Sequence, residues 1–127
     1  EPTPQSTIFQ LIDAAFAGNA VQATRLYDEQ RQLKVEPQQI IAMLAWQLHV
    51  LALVKAAGDR SDASIAGDAK VSPYVVSKTR GIARKLSLTD IKTLIANVLD
   101  IDTKSKTGRV NPDHALRNLL VSGFTTK

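Results

Sequence analysis

The fold is decided by residues 40–57, which read IIAMLAWQLHVLALVKAA. Only Gln47, His49 and Lys55 are clearly polar, and at about 100° per residue they do not gather on one face of a helix. A helix that is apolar nearly all round is typical of a protein core. A membrane span needs about 20 apolar residues with few or no charges, and this stretch is marginal in length and contains a lysine. We therefore predict a buried central helix, with Trp46 as its largest anchor, and no membrane partner.

Helical periodicity continues on both sides of this stretch. Apolar residues recur every three or four positions, and no segment alternates with the period of a strand. Capping residues or a first-turn proline open the helices, at Ser6 or Thr7, Asn19, Ser72 with Pro73, Ser87, and Pro112. The sequence predicts an all-α, single-domain bundle of six to seven helices around a central helix at about 37–57. We expect the helix after Ser87 to fade through residues 100–108, and the last helix to include Phe124.

Composition excludes several classes of active site. The chain has 127 residues and no cysteine, so disulfides and thiolate catalysis are absent, and a reducing, cytoplasmic setting fits. No phosphate-binding glycine motif occurs. His49 is interpreted as a hydrogen-bonded core residue and His114 as a surface residue, while Asp100 and Asp102 suit a solvated helix end. We expect no catalytic residue, no cofactor, no metal site and no small-molecule substrate.

The net charge of +4 is concentrated in one segment. Residues 60–92 contain seven basic and three acidic side chains, a surplus equal to that of the whole chain. A local basic cluster indicates a nucleic-acid or acidic partner, or a solvated face without a binding role. The candidate contacts with DNA or a partner lie on the predicted helix from Pro73 to about Leu86: Lys78, Arg80, Arg84 and Lys85.

One motif within this segment suggests DNA binding. Residues 65–78, IAGDAKVSPYVVSK, resemble a helix-turn-helix of the lac-repressor type, in which residues after Ser72 would face the major groove. Three features depart from that pattern: Lys70 replaces the turn glycine, Gly67 lies within the first helix, and Pro73 opens the second. A repressor-like DNA-binding domain at residues 65–85 therefore remains an alternative.

Read end to end, the chain resembles the C-terminal domain of the DNA polymerase III delta subunit, a component of the bacterial clamp loader. The resemblance is carried by five weak motifs in order. They are IFQLIDAAFAGN at 8–19, AWQLHVLALVKAA at 45–57, VSPYVVSKTRGIARKLS at 71–87, LTDIKTLIANVLDIDTKSKTG at 88–108 and HALRNLLV at 114–121. The chain departs from the family at Ser72, where histidine is frequent, and in a slightly long loop after Lys106.

The resemblance implies an all-α collar module that holds delta in the clamp-loader ring. Its partners would be the C-terminal domains of the tau/gamma and delta-prime subunits, with DNA contact possible but indirect. The domain itself would not be an enzyme, although the parent holoenzyme is a DNA-directed DNA polymerase, a nucleotidyltransferase. We expect residues 1–6 to be a linker remnant and residues 7–127 to be the collar domain, as a C-terminal fragment of a longer protein.

Overall fold

The computed structural model describes the backbone of residues 4–123 and the side chains of residues 7–121. Within this part of the chain there are seven α-helices and no strand. They are α1 (Pro4–Phe16), α2 (Ala20–Gln32), α3 (Pro37–Ala57), α4 (Asp62–Ala69), α5 (Pro73–Ala83), α6 (Leu88–Lys106) and α7 (Pro112–Asn118), and α7 continues into a π-helical segment, Leu119–Gly123. The predicted all-α fold class is confirmed, while Phe124 lies outside the described residues.

Side-chain caps begin the helices at several predicted positions. The Asn19 side chain accepts a hydrogen bond from the backbone N–H of Gln22 at 3.1 Å and so starts α2. Ser87 accepts from the backbone N–H of Asp90 at 3.0 Å, and the Asp90 carboxylate accepts in return from the N–H of Ser87. Ser72 caps α5 by accepting a hydrogen bond from the backbone N–H of Val75 at 3.3 Å. Each cap satisfies backbone donors that the first helical turn leaves unpaired.

Two helices extend beyond their predicted ends. α1 begins at Pro4 and not after a cap at Ser6 or Thr7, because proline needs no hydrogen-bond acceptor in a first turn. α6 continues to Lys106 and does not fade after residue 99. Ion pairs one turn apart support its last turns, with Asp100–Lys104 at 3.0 Å and Asp102–Lys106 at 3.1 Å. The two lysines also complement the negative end of the helix dipole.

Helix α3 is the centre of the bundle, as predicted. It packs most extensively against α6 and α5, and it also contacts α1, α4 and α7. By length and composition alone α3 is long and apolar enough to cross a membrane. Its apolar side chains instead form the core together with those of the surrounding helices, including Ile40, Leu44, Leu48, Leu51 and Val54.

One face of α3 is nevertheless open to solvent, which corrects the prediction for His49. His49 is exposed and is not a packed core residue. The same face carries Ala42 and Ala56, both exposed, and Leu53, which is 38% exposed. Alanine is apolar enough to suggest burial, but its small side chain loses little on exposure. The open face of α3 was therefore hidden in the sequence, because His49 is the only polar residue among these four.

The expected anchor, Trp46, is only partly buried, since it lies at the edge of the open face. The largest fully buried side chain is Tyr27 on α2. Gln47, beside Trp46, points inward, and its side-chain nitrogen donates to the Thr79 hydroxyl on α5 at 2.9 Å. A buried polar group requires a partner of this kind, so this hydrogen bond ties α3 to α5 inside the core.

Candidate interaction surface

Helices α4 and α5 form two packed helices joined by a three-residue turn. Ile65 on α4 and Val76 on α5 are both buried. Lys70 ends α4 in the left-handed conformation with φ of 61°, at the position where glycine is usual in the lac-repressor type of motif. A side chain in this conformation is less favourable than glycine. The predicted pair of helices with a short turn is therefore present, and Lys70 adopts the left-handed conformation that glycine has in that motif.

Arg80, one of the four candidate contacts, forms its hydrogen bonds within the chain. Its guanidinium donates to the Asp62 carboxylate at 3.0 and 3.1 Å. It also donates to the carbonyl oxygen of Gly58 at 2.9 Å and to that of Arg60 at 2.8 Å. These bonds fasten α5 to the loop between α3 and α4. Arg80 therefore stabilises the fold, and Asp62 neutralises its charge.

The other three candidates, Lys78, Arg84 and Lys85, are exposed. The Lys78 Nζ lies 5.6 Å from the centre of the Tyr74 ring, within the range of a cation–π contact. Lys85 pairs with Asp13 of α1 across 3.5 Å, with both side chains more than half exposed. An exposed pair of this kind contributes little stability, so all three cations remain accessible from the outside.

Lys78 and Lys85 stand at the edge of a groove between α1 and α5, which we call the α1–α5 groove. Its volume is about 410 Å³, and its walls are formed by Phe9, Gln10, Asp13, Lys78, Gly81, Ile82 and Lys85. The apolar surface comes from Phe9 and Ile82. Polar side chains occupy the two rims, with Asp13 on the α1 side and the lysines on the α5 side.

The charge around α5 is one-sided. Residues 69–89 contain no aspartate or glutamate, and they contain five cations: Lys70, Lys78, Arg80, Arg84 and Lys85. Among these five cations, Arg80 is the one that pairs with a carboxylate of α4 or α5 in the described structure, that of Asp62. The outer face of α5 is therefore positive, as the sequence predicted.

Two residues of this surface were missed from the sequence, Tyr74 and Phe9. Tyr74 is 65% exposed, although an aromatic near a helix start suggests a core contact. Its spacing of four residues from the exposed Lys78 was the available signal, because such residues share a helix face. Phe9 is partly buried at the groove wall, and nothing in the helical period of α1 distinguishes it from the core positions beside it.

A second polar cluster holds α7 against α2. The Tyr27 hydroxyl donates to the Asp113 carboxylate at 2.6 Å, and the Arg117 guanidinium lies 4.9 Å from the Tyr27 ring centre. Arg117 also pairs with Asp113 at 3.1 Å and with Asp28 at 2.8 Å. Burial, together with the bond to Asp113, raises the pKa of Tyr27, while the Tyr27 hydroxyl and then Arg117 lower the pKa of Asp113. The cluster is structural, since all its groups are satisfied by one another.

The described residues contain no group of three or more His, Cys, Asp or Glu side chains placed to hold a metal ion. His114 lies exposed on α7, as predicted, on a different helix from His49. The accessible chemistry of this part of the chain is thus that of a binding surface, with cations, an aromatic ring and an apolar groove.

One family model matches nearly the whole chain, and one solved structure shares its fold. The sequence model described as DNA polymerase III delta subunit, C-terminal domain, matches residues 5–122. The solved structure of the Bacillus subtilis DNA clamp loader delta protein aligns with a TM-score of 0.88 and 22% sequence identity, over 94% of this chain and 36% of that chain. The chain thus shares this fold and spans about a third of that protein's length. No curated protein sequence matches the chain.

Proposed function

The chain belongs to the family formed by the C-terminal domains of DNA polymerase III delta subunits, and we propose that it acts in DNA replication as the collar domain that holds delta in the clamp-loader ring. The observation that carries this proposal is the family match over residues 5–122. The all-α fold shared with a clamp loader delta protein supports it.

The proposed role is non-catalytic and cytoplasmic. The chemistry of polymerisation and of ATP hydrolysis would reside in other parts of the holoenzyme, and this domain would contribute contacts alone. Its partners would be the C-terminal domains of the tau/gamma and delta-prime subunits, without a cofactor.

Size-exclusion chromatography of the chain with full-length tau/gamma or delta-prime tests the proposal. At micromolar concentration we expect the chain to elute earlier with at least one of these subunits than alone. The matched control is the same subunit lacking its C-terminal domain, which should leave the elution volume of the chain unchanged. Separate elution from both full-length subunits would contradict the collar function.

The alternative, a repressor-like DNA-binding domain at residues 65–85, has one observation in its favour, the packed α4–α5 pair with its left-handed Lys70. It requires a mobility shift of duplex DNA that depends on sequence and weakens with salt. Lys78→Ala and Arg84→Ala should each reduce that shift. Without any salt-sensitive DNA binding, this alternative fails.

A further inference from the structure

The α1–α5 groove has an apolar interior with room for a side chain from outside. Phe9 is partly buried at the wall, and Ile82 is only 7% exposed. Gly81 lies on α5 between Lys78 and Lys85 in the sequence, and a β-carbon built there meets no atom within 4 Å. An aliphatic or aromatic side chain entering above Gly81 would therefore find open space next to apolar walls. Such pockets receive the anchor residues of protein interfaces.

The rim of the groove defines the charge of the occupant. Lys78 and Lys85 lie on the α5 side, and Asp13 on the α1 side pairs with Lys85 at 3.5 Å, so Lys78 is the groove cation that has no carboxylate partner in the described part of the chain. Tyr74, 65% exposed and next to Lys78, extends the surface by one helical turn. Tyrosine is enriched at protein interfaces, and opposite charges across an interface favour association. The complementary partner therefore carries acidic residues around an apolar anchor.

The same groove is poorly suited to a nucleic-acid backbone. Asp13 on the opposite rim already pairs with Lys85 at 3.5 Å, so the groove lacks the continuous row of cations that a phosphate backbone requires. Arg80, whose guanidinium could form two hydrogen bonds with a phosphate, is directed to Asp62 and to backbone carbonyls on the other side of α5. An apolar wall also offers nothing to phosphate. A protein partner is thus favoured over DNA.

We propose that the α1–α5 groove is the docking site for an acidic helix of a neighbouring clamp-loader subunit, whose apolar anchor side chain inserts above Gly81 between Lys78 and Lys85. This assignment rests on the proposed collar function and names the face that the collar uses. Lys78 and Lys85 pair with the carboxylates of that helix, and Tyr74 packs against its end.

A groove-filling substitution tests the site without removing any native contact. Gly81→Trp places a large side chain in the groove, and Gly67→Trp is the matched control, because Gly67 is also an exposed helical glycine with open space around it, on α4. Binding to the subunit that co-elutes with the unmodified chain is measured by titration. We expect Gly81→Trp to weaken the Kd at least tenfold and Gly67→Trp to change it less than twofold.

Charge reversal provides an independent readout. Lys78→Glu/Lys85→Glu is compared with Lys92→Glu/Arg109→Glu, which has the same net charge and alters exposed residues outside the groove. The first pair should weaken binding at least tenfold and the second less than threefold, with the circular dichroism spectrum of each variant unchanged. Because charge reversal leaves the core intact, this comparison tests whether the α1–α5 groove is the docking site even if Gly81→Trp fails to fold.

The outcomes separate the two proposals. If the unmodified chain binds a neighbouring subunit and both groove variants bind it equally well, the docking site is wrong and the collar function stands. If the unmodified chain binds neither partner, both are overturned. A single-stranded oligonucleotide is titrated in parallel. If Lys78→Glu/Lys85→Glu abolishes its binding while leaving binding to the protein partner intact, the groove is a nucleic-acid site and the acidic-helix proposal is wrong.

Discussion

The hydroxyl group of Tyr27 donates a 2.6 Å hydrogen bond to the carboxylate of Asp113, 86 residues further along the chain. Tyr27 is fully buried on α2, and Asp113 lies in the first turn of α7. The contact attaches the last helix to the second, so the two ends of the described chain depend on each other for their packing.

Removing this hydroxyl should weaken the fold in a pH-dependent way. Tyr27→Phe is expected to lower the free energy of unfolding at pH 7 by about 1–1.5 kcal/mol, since a bond to a charged acceptor is lost while the arginine partners of Asp113 remain. The pKa of Asp113 is lowered in the folded state. This stabilisation is therefore present above the ordinary pKa of 3.8 and is lost as the pH falls through the lowered value.

Urea unfolding of both proteins at pH 7 and in the acid range below pH 4 measures this difference. The matched control is Tyr74→Phe, which removes an exposed hydroxyl and should change the free energy of unfolding by less than about 0.5 kcal/mol. An equal loss from Tyr27→Phe at both pH values would contradict the contribution of the ionised carboxylate.

Tyr27 and Trp46 should differ in their effect on stability. Tyr27→Ala is expected to cost about 3–5 kcal/mol, as deep aromatic truncations do. Trp46→Ala should cost about 1–3 kcal/mol, because part of its ring already faces solvent and less apolar area is lost. Thermal and urea unfolding give both values. A larger loss for Trp46 would show that it anchors the core after all.

Arg80 and Arg84 should be separated by stability measurements. Arg80→Ala removes four hydrogen bonds to Asp62, Gly58 and Arg60, and we expect a loss of about 1–3 kcal/mol. Arg84→Ala alters an exposed side chain and should stay within about 0.5 kcal/mol. Chemical denaturation of both variants in the same buffer checks the difference. Equal effects would contradict the structural role of Arg80.

Two glycines lie within helices without a conformational reason. Gly67 in α4 and Gly81 in α5 both have open space where a β-carbon would be, and neither adopts a positive φ. Gly67→Ala and Gly81→Ala should each stabilise the protein by about 0.5–1 kcal/mol. Gly18, with φ of 79°, is the contrasting site, where alanine should destabilise. A lower melting temperature for Gly67→Ala or Gly81→Ala than for the unmodified chain would contradict the predicted stabilisation.

The sequence was most informative where local rules and packing agree. The period of apolar residues and the caps at Asn19, Ser72 and Ser87 predicted the helices, because each cap satisfies its own helix regardless of tertiary contacts. The predicted end of α6 was wrong because residues 100–108 are rich in polar residues, although the spacing of four in Asp100–Lys104 and Asp102–Lys106 is a helical signal.

Side-chain environments were harder to predict than helices. The sequence predicts His49 and Trp46 in the core because neither the alanines nor the three polar residues of the stretch 40–57 indicate which side is open. That side is decided by where α5 and α6 pack, which is a tertiary property. By charge alone Arg80 belongs with Lys78 and Lys85. Its hydrogen bonds to Asp62 on α4, which depend on how α4 and α5 pack, give it a structural role that the two lysines do not have.

The hydrogen bond between Gln47 and Thr79 has a consequence for how the bundle assembles. α3 presents apolar side chains along most of its length, and such a surface would accept α5 at several positions along its axis. A shift of one helical turn, about 5.4 Å, would bury the Gln47 amide and the Thr79 hydroxyl without each other, at about 1–3 kcal/mol for each unpaired group. The pair therefore fixes the register of α5 on α3 and excludes the neighbouring alternatives.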